Sequence, residues 1–251
     1  MTAVQKIGAW VAPAGLGVAV AALAALALAG LGTRMGWWHF RAGFTLLFAG
    51  AVGGLAAAAV SATVLALTWL WPPDRAVLHR GMALAGIVIG VLAAAIPWQW
   101  KQAAQRVPPI HDITTDTEQP PEFVAILPLR ADAPNPADYG GPDIAAQQRT
   151  AYPDLQPLPL PQPPEAAFTA ALDVARRIGW EIVAAEPAEG RIEATDTTFW
   201  FGFTDDIVVR IRPAAEGSRI DVRSVSRVGR SDVGTNARRI RAYLKTLAGA
   251  A

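Results

Sequence analysis

Three long stretches near the start of the chain carry no charge: Ile7–Gly32, Gly43–Trp71 and Gly81–Trp100. A helix needs roughly 20 apolar residues to cross the hydrocarbon core of a bilayer, and each stretch is long enough. The pattern changes at about residue 104. "VPPIHDITTDTEQPPEF" and "AYPDLQPLPLPQPPEAAF" break any periodicity with prolines. They predict an extended, partly ordered strap, because proline fixes φ and removes a backbone donor. Ile110, Phe123, Ile126, Leu127 and Leu129 are available to pack it on the following domain. Periodicity returns at Pro164. Phe168, Ala171, Leu172, Ala175 and Ile178 recur at helical spacing, and Gly179 supplies a stop. "WEIVAAEP", "RIEATDTTFW", "DDIVVRIRP" and "RIDVRSVSR" then alternate as strands, with turns at Glu189-Gly190 and Glu216-Gly217. A last helix places Ala237, Ile240, Tyr243, Leu244 and Leu247 on one side. Short turns between consecutive strands predict an antiparallel meander with both helices on one face.

The fold class is therefore a membrane protein with three N-terminal transmembrane helices followed by a small α+β domain of helix, four-stranded antiparallel meander and helix. The expected boundaries are 1–103 for the transmembrane region (spans about 7–31, 43–71 and 81–100), 104–164 for the strap and 165–251 for the domain. Tryptophan supports the spans, since indole prefers the headgroup zone. Trp10, Trp37, Trp38, Trp69, Trp71, Trp98 and Trp100, seven of the nine, stand at predicted edges. Gly50 with Gly54, and Gly86 with Gly90, put small residues on one helix face and predict close helix packing. No span holds an ionisable residue, which argues for an anchor rather than an ion path.

Composition narrows the chemistry. The 251 residues are 52% hydrophobic with a net charge of +1, so no global basic field points to nucleic acid. The absence of cysteine excludes disulfides, thiolate catalysis and cysteine-ligated metals. The abundance of Arg, Ala, Gly and Pro suggests a high-GC bacterial source. The charge count between the two sides of the membrane differs by one residue. Lys6, Arg75 and Arg80 fall on one side and Arg34, Arg41, Lys101 and Arg106 on the other, which slightly favours the second side as cytoplasmic.

The outward face of the sheet is unusually polar. Alternation places Arg210 and Arg212 there, with Arg219, Asp221, Arg223 and Arg227 from the next strand and Glu193, Thr195 and Thr197 from the strand before. It is read either as a solvated face of ion pairs or as a docking face for an anionic ligand, a lipid headgroup or the strap. "SRVGRSDVGTNARRIRAYL" (Ser226–Leu244) gathers five arginines around the start of the last helix. Two readings stand. Asp205, Asp206, Asp232 and Asn236 form a structural polar motif that neutralises the arginines and caps the helix, with Arg227 close to Asp232. Alternatively Arg210, Arg223, Arg227, Arg230 and Arg239 bind an anion such as a phosphate or carboxylate.

Candidate catalytic chemistry is sparse. His39 and His79 are placed in short loops beside the membrane. His111, Asp112 and Asp116, with Glu118, are the nearest approach to a hard-metal set, although on a proline-rich strap such residues more often serve turn and cap chemistry. No cofactor is expected. Asp205 and Asp206 are neighbours on one strand and point to opposite faces, so they do not make an acid–base pair.

"PPIHDITTD", "PPEF", "FTDDIVVRI" and "DVRSVSRVGRSDVGTNARRI" resemble the bacterial and plastid family catalogued as domain of unknown function 1499, over roughly Val107 to Leu247. The family supplies no activity. The resemblance implies an envelope or lumen setting. The expected location is the bacterial cytoplasmic (inner) membrane, multi-pass, with the C-terminal domain periplasmic. The expected partners are the lipid bilayer and another envelope protein or an anionic ligand, with no nucleic acid. The expected role is non-catalytic, binding or structural; the alternative is a metal- or carboxylate-dependent envelope hydrolase.

Overall fold

The structure is a computed structural model that describes residues 3–70 and 76–250. The expectations attached to Trp71 and Arg75 lie outside the described residues. The chain divides into two compact units. One comprises Met1–Gln102 with Phe199–Gly202, and the other comprises Ala103–Thr198 with Phe203–Ala251.

The first unit contains three long helices, α1 (Ala3–Arg34), α2 (Phe40–Leu70) and α3 (Ala76–Gln105, whose last turn belongs to the second unit). Each contains a segment long and apolar enough to cross a membrane: Trp10–Arg34, Phe40–Leu70 and Val77–Gln105. Glycines set their spacing. A side-chain carbon added at Gly54 would lie 2.7 Å from the Gly90 carbonyl oxygen, so α2 and α3 touch backbone to backbone there. Gly50 faces Leu26 of α1, and Gly86 faces Ser61 of α2. Hence Gly50 and Gly54 serve different helices, whereas Gly86 and Gly90 both face α2. Gly15 also meets Ser61, so residue numbers rise along α1 as they fall along α2. The ends at Arg34, Phe40 and Trp100 therefore share one side. His79 lies inside α3, not in a loop, because the helix begins at Ala76.

In the second unit α5 (Pro164–Arg177) opens on proline, where no N–H is needed. It buries Phe168, Ala171, Val174 and Ala175. Gly179, with φ +91°, turns the chain into β3 (Glu181–Glu186). β4 (Arg191–Thr197), β5 (Thr204–Ala214) and β6 (Gly217–Ser226) follow as the expected meander. α6 (Thr235–Ala248) buries Ala237, Ile240, Tyr243 and Leu247 against it. Trp180 stacks on Tyr243 with ring centroids 4.7 Å apart, closing the core between sheet and helices.

Among the described residues the sheet has six strands, not four. β1 (Asp112–Thr114) and β2 (Leu158–Leu160) both lie in the strap, and both pair antiparallel with β6. They are three residues each and sit at the sheet edge, where Pro159 needs no donor. The strap is also more folded than its prolines predict. It includes a 3-10 turn at Leu127–Arg130 and a helix, α4 (Gly141–Ala151). From α4, the Gln148 amide donates to Thr114 O at 2.6 Å and accepts from Thr114 N at 2.9 Å. A side chain thereby imitates a seventh strand and closes the edge of β1.

Candidate functional site

Alternation along β4, β5 and β6 gives the sheet a helix-facing side and a strap-facing side. On the strap-facing side Asp206, Val208 and Arg210 of β5 lie beside Asp221, Arg223 and Val225 of β6 and Glu193 of β4. Packing by the strap, not water, covers this face. Phe123 and Ile126 bury themselves against Val208 and Val225. Every charged group beneath them then needs a partner.

Arg223 lies at the centre. Its Nε and Nη2 donate to the two carboxylate oxygens of Asp112 at 2.9 and 2.8 Å, a bidentate pair. Its remaining donors reach the carbonyls of Pro121 at 3.1 Å and Ala137 at 2.7 Å. The rings of Phe123 and Tyr139 flank the guanidinium at 5.1 and 5.5 Å. Burial pushes the Asp112 carboxyl up, and Arg223 opposes that rise. The Tyr139 phenol is pushed up to about 12 by burial and by the Asp112 charge.

Asp206 accepts from Arg227 Nε and Nη2 and lies 3.1 Å from Arg130 of the 3-10 turn. Arg210 and Arg219 share Asp221 and the strap's Asp116. Burial would raise Asp116. The N–H groups of Gln119 and Glu118, with Arg219 and Arg210, outweigh it, so its carboxyl is held below the ordinary range. Glu193 is wholly buried. Its carboxylate accepts the backbone N–H groups of Val124, Ala125 and Ile126 at 2.9 to 3.1 Å and pairs with Arg191. Successive N–H groups converging on an anion form a nest, and here the anion belongs to the protein.

The helix-facing side holds a second network. Arg239 of α6 pairs with Asp205 at 2.7 Å and Asp196 at 2.8 Å, and also reaches Ser224 and Asn236. Asn236 accepts from Ser224 Oγ at 2.7 Å and donates to His111 O at 3.0 Å, tying α6 to β6 and to the strap. Asp205 and Asp206 thus serve opposite faces, as alternation predicts.

Asp232 and Arg227 do not form the expected pair. Arg227 extends from the strap-facing side to Asp206, while Asp232 accepts Gly234 N at 2.8 Å and Asn236 N at 2.7 Å and so caps α6. Burial pushes the Asp232 carboxyl above its ordinary 3.8, against the pull of those N–H groups. The folded chain therefore binds this proton before the unfolded chain does. The stability of the native chain relative to Asp232→Asn should rise as pH falls from neutrality towards 3.8 and level off below it. Paired denaturant titrations check this, and a relative stability that falls with pH would contradict it.

Of the five arginines proposed for an anion, Arg210, Arg223, Arg227 and Arg239 each hold at least one aspartate. Arg230 is exposed and has no carboxylate partner among the described residues. His111, Asp112 and Asp116 do not converge as a set. His111 Nδ1 lies 3.4 Å from Arg230 O, and the two aspartates serve arginines. The roles of Glu193 and Gln148 were missed in the sequence. Both depend on backbone groups presented by the folded strap, and only the placement of Glu193 on the polar face signalled one of them.

An antiparallel sheet backed by two helices and clasped by a salt-bridged strap defines a compact α+β domain following three apolar helices. The family model described as protein of unknown function (DUF1499) matches residues 112–247, and the chain belongs to that family. No curated protein and no solved structure matches the chain.

Proposed function

We propose that this is a multi-pass protein of a bacterial cytoplasmic membrane whose DUF1499 domain stands on the periplasmic side as a non-catalytic binding or structural module. The observation that carries the second half is how the acids are used. Asp112, Asp116, Asp205, Asp206 and Asp221 hold arginines, and Glu193 holds Arg191 and three backbone N–H groups. A carboxylate so held is poorly suited to moving protons in a reaction. Three apolar helices with tryptophans near their ends support the first half. The family resemblance to envelope and lumen proteins favours the periplasmic side over the one-residue charge difference.

The competing hydrolase reading is tested by offering the purified chain phosphate ester, carboxylic ester, glycoside and peptide substrates, with and without divalent metal. The expected result is no turnover above a denatured control. Turnover abolished by Asp206→Ala or His111→Ala would contradict the proposal.

A further inference from the structure

The segment "TTFWFGFT" (Thr197–Thr204) joins β4 to β5, and its tip, Phe199–Gly202, belongs to the compact unit of the three helices. Thr198 and Phe203 close its base through two hydrogen bonds of 2.8 and 2.9 Å. Three successive aromatic residues at a hairpin tip are a poor choice for a solvated turn, where Gly, Asn and Asp prevail. Their surroundings explain them. Trp200 Nε1 donates to Ala27 O of α1 at 3.2 Å, and Gly30 leaves the groove in which the indole lies, since a side chain there would land on the ring. Trp200 also meets Trp100 edge-on at 5.7 Å, and Phe201 meets Phe44 at 5.2 Å. Arg34 donates to Phe199 O at 2.6 Å.

These contacts set a depth. Arg34 is the charge that ends the first apolar span, and the helix directions put Trp37, Trp38, Trp98 and Trp100 at the same end. Ala27 lies seven residues inward of Arg34, about 10 Å along the helix axis. The tip therefore runs from the level of the last charge to the upper edge of the apolar band, the boundary zone that an indole prefers. Phe199 is left 82% exposed at that level.

We propose that the Phe199–Gly202 tip is seated in the bilayer interface, with Phe199 among the lipid headgroups and upper acyl chains and Trp200 as an eighth boundary tryptophan. This rests on the membrane reading above. The chain has no cysteine, so single-cysteine variants can be labelled cleanly. Phe199→Cys, Leu55→Cys at the middle of α2 and Glu216→Cys at the β5–β6 turn are each labelled with an environment-sensitive fluorophore. The full chain is then reconstituted in phosphatidylcholine–phosphatidylglycerol vesicles containing spin labels at headgroup, shallow or deep acyl positions. Leu55 should lose most of its emission to deep labels and Phe199 to headgroup and shallow ones, while Glu216 keeps its aqueous spectrum. Emission at Phe199 that matches Glu216, or is blue-shifted yet untouched by lipid-borne labels, overturns the proposal while a quenched Leu55 leaves the membrane reading standing. Loss of quenching at Leu55 removes the membrane reading and the tip proposal with it.

Discussion

Arg223→Met should be the most damaging single change in the domain. It leaves the Asp112 carboxylate buried without its bidentate partner and strips donors from the carbonyls of Pro121 and Ala137. Breaking one side of a buried pair costs about 3–5 kcal/mol, a large part of the ~5–15 kcal/mol that stabilises a domain. In a unit of this size that corresponds to a fall in Tm of roughly 10 °C. The double variant Asp112→Leu with Arg223→Met should recover part of the loss, because the orphaned charge is removed with its partner. Thermal unfolding of the detergent-solubilised chain checks both. A single variant that melts with the native chain, or a double variant worse than the single, would contradict the clamp.

Glu193→Ala should release the strap locally. Val124, Ala125 and Ile126 lose the acceptor for their N–H groups. An unsatisfied buried group costs about 1–3 kcal/mol, so the loss over three is large even if not additive. Glu193→Gln should rescue it only in part, since the amide presents N–H groups to N–H groups. Amide hydrogen exchange at residues 123–130 is the sensitive measurement. Exchange there should quicken in Glu193→Ala more than in β4 and β5. Unchanged protection would mean that the nest is held by Phe123 and Ile126 packing alone.

Elements with their own period were legible in the sequence. The three long apolar helices follow from uncharged windows, and the helices and meander from Phe168 to Leu247 follow from spacing. Alternation also placed Arg210, Arg223 and Arg227 on one face. The strap was one of the coverings the sequence offered for that face, but its individual contacts were not legible. The partner of Arg223 is Asp112, 111 positions away, across a segment that prolines mark as irregular. Strands as short as Asp112–Thr114 and Leu158–Leu160 carry no periodic signal, and pairing to β6 alone defines them. Asp232 looked like a partner for Arg227 because the bases and acids of the domain nearly balance. A left-handed Val233 and Gly234 instead turn it back onto the start of α6. Trp180 and Trp200 show the same limit. Both lie outside the predicted spans, yet Trp180 completes the domain core and Trp200 hydrogen-bonds to α1.

The proposed membrane anchoring with the DUF1499 domain outside the cytoplasm can be read out by fusing either alkaline phosphatase or green fluorescent protein to the C-terminus of the full chain in a bacterial host. Alkaline phosphatase folds to an active enzyme only after export, whereas the fluorescent protein matures in the cytoplasm. The phosphatase fusion should be active and the fluorescent fusion dark, both in the membrane fraction. Inactive phosphatase with a bright fluorescent fusion would contradict it.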